Sequence, residues 1–77
     1  MDNKTKFAEV YTQAFIDSYP EFPAEKSANL IMRAVATATS NIRSVAIDGK
    51  AFKLTAKRLG IKHTYTAFEA FLNGKEA

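Results

Sequence analysis

The sequence predicts an all-α protein, a compact bundle of about four helices that forms a single helical domain over residues 1–77. Apolar residues recur at helical spacing through most of the chain. Hydrophobic residues make up 47% of the sequence, and only three glycines and two prolines interrupt the pattern, so an ordered core is expected. A chain of this length is too short for two domains.

The first helix is predicted from Thr5 to Ser18, where apolar residues repeat at steps of three and four. Asn3 or Thr5 is expected to cap its start, because short polar side chains bond the free N–H groups of a first turn. The pair Tyr19-Pro20 ends the helix, since proline pushes the preceding residue out of the helical region.

The second helix is predicted to restart after Phe22, with Pro23 at its first position. An apolar seam at alternating three- and four-residue steps predicts lengthwise packing on a neighbouring helix. The seam consists of Ala24, Ala28, Ile31, Val35, Ala38, Ile42 and Val45, and it is widened by Leu30, Met32 and Ala34. Thr37, Thr39 and Ser40 lower helix propensity and mark a bend or an early end. The same seam would serve a homodimer, although packing within the chain is preferred.

Residues 44–55 fit two structures. Apolar residues alternate with others on both sides of Asp48-Gly49, which is typical of a two-residue β-hairpin and would make the fold α+β. The same stretch fits a third helix from about Lys50 to Leu59, capped by Asp48, and we prefer the helix. In that helix Leu59 is expected to be buried.

The fourth helix is predicted to follow a turn at Gly60, a residue that commonly ends helices in the left-handed conformation. Thr64 is expected to cap it, and Asn73-Gly74 to end it. Its apolar face contains Tyr65, Phe68, Phe71 and Leu72. These aromatic residues share one helical face, so we assign them to the core.

The net charge of +3 is distributed unevenly. Residues 1–40 hold four Lys or Arg against five Asp or Glu, whereas residues 41–77 hold seven against three. A basic half of this kind is typical of a solvated surface or of a face that meets a polyanion.

The stretch FKLTAKRLGI, residues 52–61, resembles the first helix and turn of helix-turn-helix DNA-binding domains, including those of the lambda Cro and repressor type. Ala56 is small enough for close helix crossing, and Gly60 makes the turn that Ile61 anchors. The resemblance implies DNA binding, with the next helix in the major groove. It places Lys62, His63, Thr64 and Thr66 against DNA, and Lys53, Lys57 and Arg58 near phosphates.

The fourth helix departs from that family. The family has buried apolar residues about six and nine positions after the turn glycine, where this chain has Thr66 and Glu69, so the turn must be longer or the helix rotated. The stretch LGIKHTYTA, residues 59–67, resembles the C-terminal block of small uncharacterised reading frames of bacteriophages and plasmids. That resemblance implies a mobile-element origin.

Catalytic chemistry is not expected. The chain has no cysteine, His63 is its single histidine, and no glycine-rich phosphate loop is present, so we predict neither an enzyme nor a metal or cofactor site. The polar N-terminus and the absence of a long apolar run predict a cytoplasmic protein with no membrane partner.

Two functions remain. The preferred one is a small DNA-binding regulator that docks through its basic third helix and the following turn. The alternative is a protein-binding modulator, an inhibitor or accessory factor of a host protein, with no nucleic-acid contact. In the alternative, exposed aromatic residues such as Tyr11, Tyr19, Phe22 or Tyr65 would form the contact.

Overall fold

Four α-helices make up the fold in the computed structural model, which describes residues 2–74 apart from the side chain of Ala24. In chain order they are α1 (Asn3–Ser18), α2 (Ala24–Asn41), α3 (Lys50–Leu59) and α4 (Tyr65–Leu72), with a 3-10 turn at Ile42–Ser44. No strand occurs among residues 2–74, so the predicted all-α bundle is confirmed and the alternative hairpin is wrong.

The hairpin fails because residues 50–59 bury neighbouring side chains in pairs. Ala51 and Phe52 are both buried, and so are Thr55 and Ala56. A strand would send each pair to opposite faces, whereas a helix brings all four to one face. The hydroxyl of the fully buried Thr55 donates to the carbonyl oxygen of Ala51 at 2.6 Å, which satisfies the polar group inside the core.

Helix α1 begins two residues before its predicted start. Asp2 caps it, because its carboxylate accepts the N–H of Thr5 at 2.7 Å. That backbone hydrogen bond lowers the pKa of Asp2 from its ordinary value of 3.8. Neither predicted cap residue has that role: Asn3 instead donates its side-chain amide to the carbonyl oxygen of Phe71 at 2.8 Å, which fixes the start of α1 to the end of α4.

Helix α2 follows Pro23, which is its N-cap residue and not its first helical residue. Of the bend or early end predicted around Thr37, Thr39 and Ser40, the early end does not occur, because α2 continues to Asn41. The hydroxyls of Thr37, Thr39 and Ser40 donate to carbonyl oxygens one turn earlier, so they bond within the helix and do not compete with it.

The apolar face of α2 is narrower than predicted. Ile31 and Ala38 are buried, as is Ile42 in the 3-10 turn that follows, but Leu30 and Met32 are exposed. These two residues flank Ile31 in the chain, so each lies about 100° from it around the helix axis. Leu30 and Met32 therefore stand on opposite sides of the helix, outside the seam.

Helix α3 has its predicted bounds, although Gly49 is its N-cap residue in place of Asp48. At its end Gly60 adopts φ +70°, and the N–H groups of Gly60 and Ile61 bond the carbonyl oxygens of Lys57 and Ala56. This is the paired hydrogen bonding of a glycine-terminated helix. Leu59 is half-buried and not buried as predicted, because it packs against the edge of the core in the last turn of α3.

Aromatic rings from three helices fill the centre of the core. Phe7 and Phe68 are fully buried and meet edge to face at 6.0 Å, and Phe52 lies 5.8 Å from Phe68. Tyr11 packs on Phe52 at 4.7 Å, and its burial, together with the nearby Tyr19, raises the pKa of its hydroxyl to about 12. Helix α1 makes its most extensive contacts with α3 and also touches α2 and α4.

Helix α4 has the predicted cap and face. The Thr64 hydroxyl accepts the N–H of Ala67 at 3.1 Å, and Phe68, Phe71 and Leu72 are buried. Within residues 2–74, no helix has the length and apolar character needed to cross a membrane.

Candidate nucleic-acid interface

Four exposed lysines form what we call the lysine face: Lys50, Lys53 and Lys57 of α3, and Lys62 in the turn that follows. The first three are spaced at i, i+3 and i+7, which places them along one stripe of the helix over about 10 Å. Because Phe52 and Thr55 occupy the opposite side, the core forces these side chains outward.

The part of the chain that carries the lysine face is basic, and its flanking acidic residues are Asp48 before it and Glu69 after it. Residues 49–68 contain five Lys or Arg and no Asp or Glu. Within residues 2–74 the ion pairs are Arg43–Glu69 and Arg58–Asp17, so the four lysines of the face take part in none. Their charges are available to an external anion.

Arg58, predicted to approach phosphate, is held differently from the lysines. It lies on the flank of α3, and its guanidinium donates to the Asp17 carboxylate of α1 at 2.6 Å. Hydrogen bonds from Arg58 and Gln13 lower the pKa of Asp17 from its ordinary 3.8. Arg58 therefore joins α3 to α1 and is oriented away from the lysine stripe.

His63, predicted to face DNA, is half-buried and has a structural position. Its Nε2 donates to the carbonyl oxygen of Ile47, and its ring meets Phe68 edge to face at 6.2 Å. These contacts fix the turn after α3 to the segment before it. Thr64 is exposed, but its hydroxyl is engaged as the cap of α4.

Tyr65 and Arg43 support the same turn, a role that no local sequence pattern indicates. The Tyr65 hydroxyl donates to the carbonyl oxygen of Val45 at 2.7 Å. Arg43 bonds Glu69 at 3.2 Å and lies 6.0 Å from the centre of the Tyr65 ring. Together with those of His63, these contacts connect residues 43–47 to residues 63–69. The turn that carries Lys62 is therefore held in place by side chains on its C-terminal side, and we call it the braced turn.

The departure of α4 from the helix-turn-helix pattern has a simple geometric form. Thr66 is exposed, and Glu69 is half-buried beside Arg43. The buried residues Phe68 and Phe71 stand eight and eleven positions after Gly60, two later than the family pattern. With this spacing Phe68 and Phe71 of α4 lie in the core.

The seven predicted site residues thus separate into two sets. Lys53, Lys57, Lys62 and Thr66 are exposed, and the structure adds Lys50 to them. Arg58, His63 and Thr64 make contacts within the protein.

Most of the aromatic side chains that were predicted to be exposed for binding a protein are buried or half-buried. Tyr11 is buried, Tyr19 and Tyr65 are half-buried, and Phe22 alone of the four is exposed, at 43%. Tyr11 is buried because it follows Phe7 by four positions on α1 and so lies on the same, core-facing side of the helix.

Comparison of the chain with protein-family models, with curated proteins and with solved structures gave no match.

Proposed function

We propose that this protein is a small non-catalytic regulator that binds duplex DNA through its lysine face. The observation that carries the proposal is the stripe of Lys50, Lys53 and Lys57, opposite the core and outside every ion pair of residues 2–74. Lysines of this kind neutralise phosphates and release condensed counterions, which is the main source of sequence-independent affinity for DNA.

The turn into α4 adds two further exposed side chains. Lys62 leaves the braced turn next to the start of α4, where Thr66 is exposed in the first helical turn. In helix-turn-helix domains the first residues of the second helix meet base edges. Thr66 is a single short side chain, so we expect phosphate contacts to dominate and base readout to be weak.

The test is a titration of labelled duplex DNA at several salt concentrations, with two variants that remove the same charge. In the first, Lys50, Lys53, Lys57 and Lys62 are replaced by glutamine. In the matched control, the four cations of residues 1–40 are replaced by glutamine: Lys4, Lys6, Lys26 and Arg33. All eight side chains are exposed, so both proteins should fold, which circular dichroism would verify.

The expected result is a smaller salt dependence in the lysine-face variant only. The slope of log affinity against log salt should shrink by about 0.9 for each phosphate that the variant no longer neutralises, whereas the control should keep the parental slope. An equal decrease in both variants would show that net charge acts without a defined face. A parent protein that binds no DNA would refute the proposal and favour the protein-binding alternative.

A further inference from the structure

An apolar groove lies between the end of α1 and the start of α2. Its volume is about 240 Å³. Ile31 and Thr12 lie along it, and its walls include Ile16, Phe22 and Ala28. Ile16 and Phe22 remain 47% and 43% exposed, so the groove presents apolar surface to solvent.

The aromatic side of the groove is preformed. Phe15, Tyr19 and Phe22 pack in series, with ring centres 4.8 Å and 5.8 Å apart. The Tyr19 hydroxyl also lies beside Gly49, 3.6 Å from the position that a Cβ would occupy. A ligand would therefore meet an ordered wall, and little free energy would be needed to organise it.

Acidic residues outnumber basic ones beside the walls of the groove in sequence: three glutamates, against Lys26, which is next to Ser27. Glu9 precedes Ile16 by seven positions on α1, and Glu25 precedes Ala28 by three on α2, so each glutamate shares a helical stripe with a wall residue. Glu21 is the neighbour of Phe22 in the connecting loop. All three glutamates are exposed, and none forms an ion pair within residues 2–74.

We infer that this groove docks a basic amphipathic helix of a partner protein. An apolar side chain of the partner would enter between Ile16 and Phe22, and lysines or arginines beside it would meet the three glutamates. Charge complementarity selects this occupant, because an acidic or purely apolar segment would leave Glu9, Glu21 and Glu25 facing like charge or no charge.

A second copy related by a two-fold axis is a poor occupant for the same reason, because it would bring identical glutamates together. A head-to-tail copy would have to place Leu30 or Met32 of α2 in the groove, with Lys26 or Arg33 beside it. Sedimentation of the parent protein and of Ile16→Ser separates that occupant from a partner protein.

The probe is a synthetic helical peptide of leucine and lysine with leucines on one face, and binding is followed by fluorescence anisotropy without DNA. Two further peptides replace every leucine by alanine or every lysine by glutamate. The paired protein variants are Ile16→Ser and Leu30→Ser. Both side chains are 47% exposed, but only Ile16 lines the groove, so Leu30→Ser controls for the decrease in surface apolarity.

The leucine-lysine peptide should bind the parent protein, and Ile16→Ser should weaken it about tenfold or more, as for a central anchor contact, while Leu30→Ser leaves it unchanged. Replacing the three glutamates by glutamine should weaken binding and reduce its salt dependence. The lysine-face variant should bind the peptide normally, so failure of this inference and failure of DNA binding are distinguishable.

Four results would overturn the inference. The first is no binding of the leucine-lysine peptide. The second is equal weakening by Ile16→Ser and Leu30→Ser. The third is equal binding of the glutamate or alanine peptide. The fourth is a parent protein that sediments as a dimer and becomes monomeric with Ile16→Ser, which would make a second copy the occupant.

Discussion

The helices of the N-terminal and C-terminal halves bury their apolar residues to different extents. Helices α1 and α2 and their loop leave four large hydrophobic side chains between 43% and 69% exposed, whereas α3 and α4 leave none at that level. The lysine face has the opposite location, on α3 and its turn. The difference arises because α2 carries apolar residues on more sides than it has neighbours, while the apolar residues of α3 and α4 are all buried or half-buried.

The difference in burial between the two halves is tested most directly by replacing one phenylalanine of each half with alanine. Phe68 is fully buried among Phe7 and Phe52, so Phe68→Ala should reduce the free energy of unfolding by about 3–5 kcal/mol. Phe22 is 43% exposed, so Phe22→Ala should cost less than about 1.5 kcal/mol. Urea unfolding measures both, and similar decreases would mean that the groove wall belongs to the core.

The burial of Tyr11 in the N-terminal half can be tested by the dependence of stability on alkaline pH. The pKa of Tyr11 is about 12 in the folded protein and about 10 when unfolded, so only the unfolded state loses this proton between those values. The contribution of Tyr11 to the free energy of unfolding is complete below pH 10 and is lost as pH rises to 12. The decrease is up to about 3 kcal/mol, at 1.4 kcal/mol per pKa unit.

The matched control for this titration is Tyr11→Phe, which keeps the ring and removes the ionisable hydroxyl. The unfolding free energy of the parent should fall relative to that of the variant as pH rises from 10 to 12, because lysine titration affects both equally. A constant difference over that range would show that Tyr11 is accessible to water in the folded state.

The smallest effect concerns the turn that separates α3 from α4. Gly60 has φ +70°, a conformation that costs a residue with a Cβ about 1–2 kcal/mol, so Gly60→Ala should destabilise the protein by that amount. Gly49 has φ −73° and room for a Cβ, so Gly49→Ala should cost less than about 1 kcal/mol, because alanine is the poorer N-cap but restricts the unfolded chain. Thermal unfolding compares the two, and equal shifts in Tm would contradict the assigned turn.

Local sequence signals were enough for much of the fold. The spacing of apolar residues predicted the bounds of α3, and Gly60 and Thr64 marked the turn and the next cap because their chemistry acts within a few residues. The exposure of Lys53 and Lys57 followed from the same periodicity. Periodicity alone did not show that Leu30 would be exposed, since it records apolar residues but not how many neighbours a helix has.

The candidate site was harder to predict because its constraints join distant residues. Arg58 meets Asp17 from 41 positions away, and His63 bonds the backbone carbonyl of Ile47. Every residue has a carbonyl group, so sequence cannot select the one that a histidine will reach. The contacts that Arg58 and His63 make within the protein were therefore found only from the three-dimensional arrangement.

The partners of α1 have a consequence for how the chain reaches its native state. Helix α1 packs most extensively on α3, not on the adjacent α2, and Asn3 bonds the carbonyl of Phe71 across 68 positions. During synthesis Phe7 has only Tyr11 of its own helix as a ring partner until Phe52 and Phe68 have emerged. Helix α1 is thus enclosed only after α3 and α4 have been made, and closing so long a loop should make this bundle fold more slowly than one whose helices pair in order.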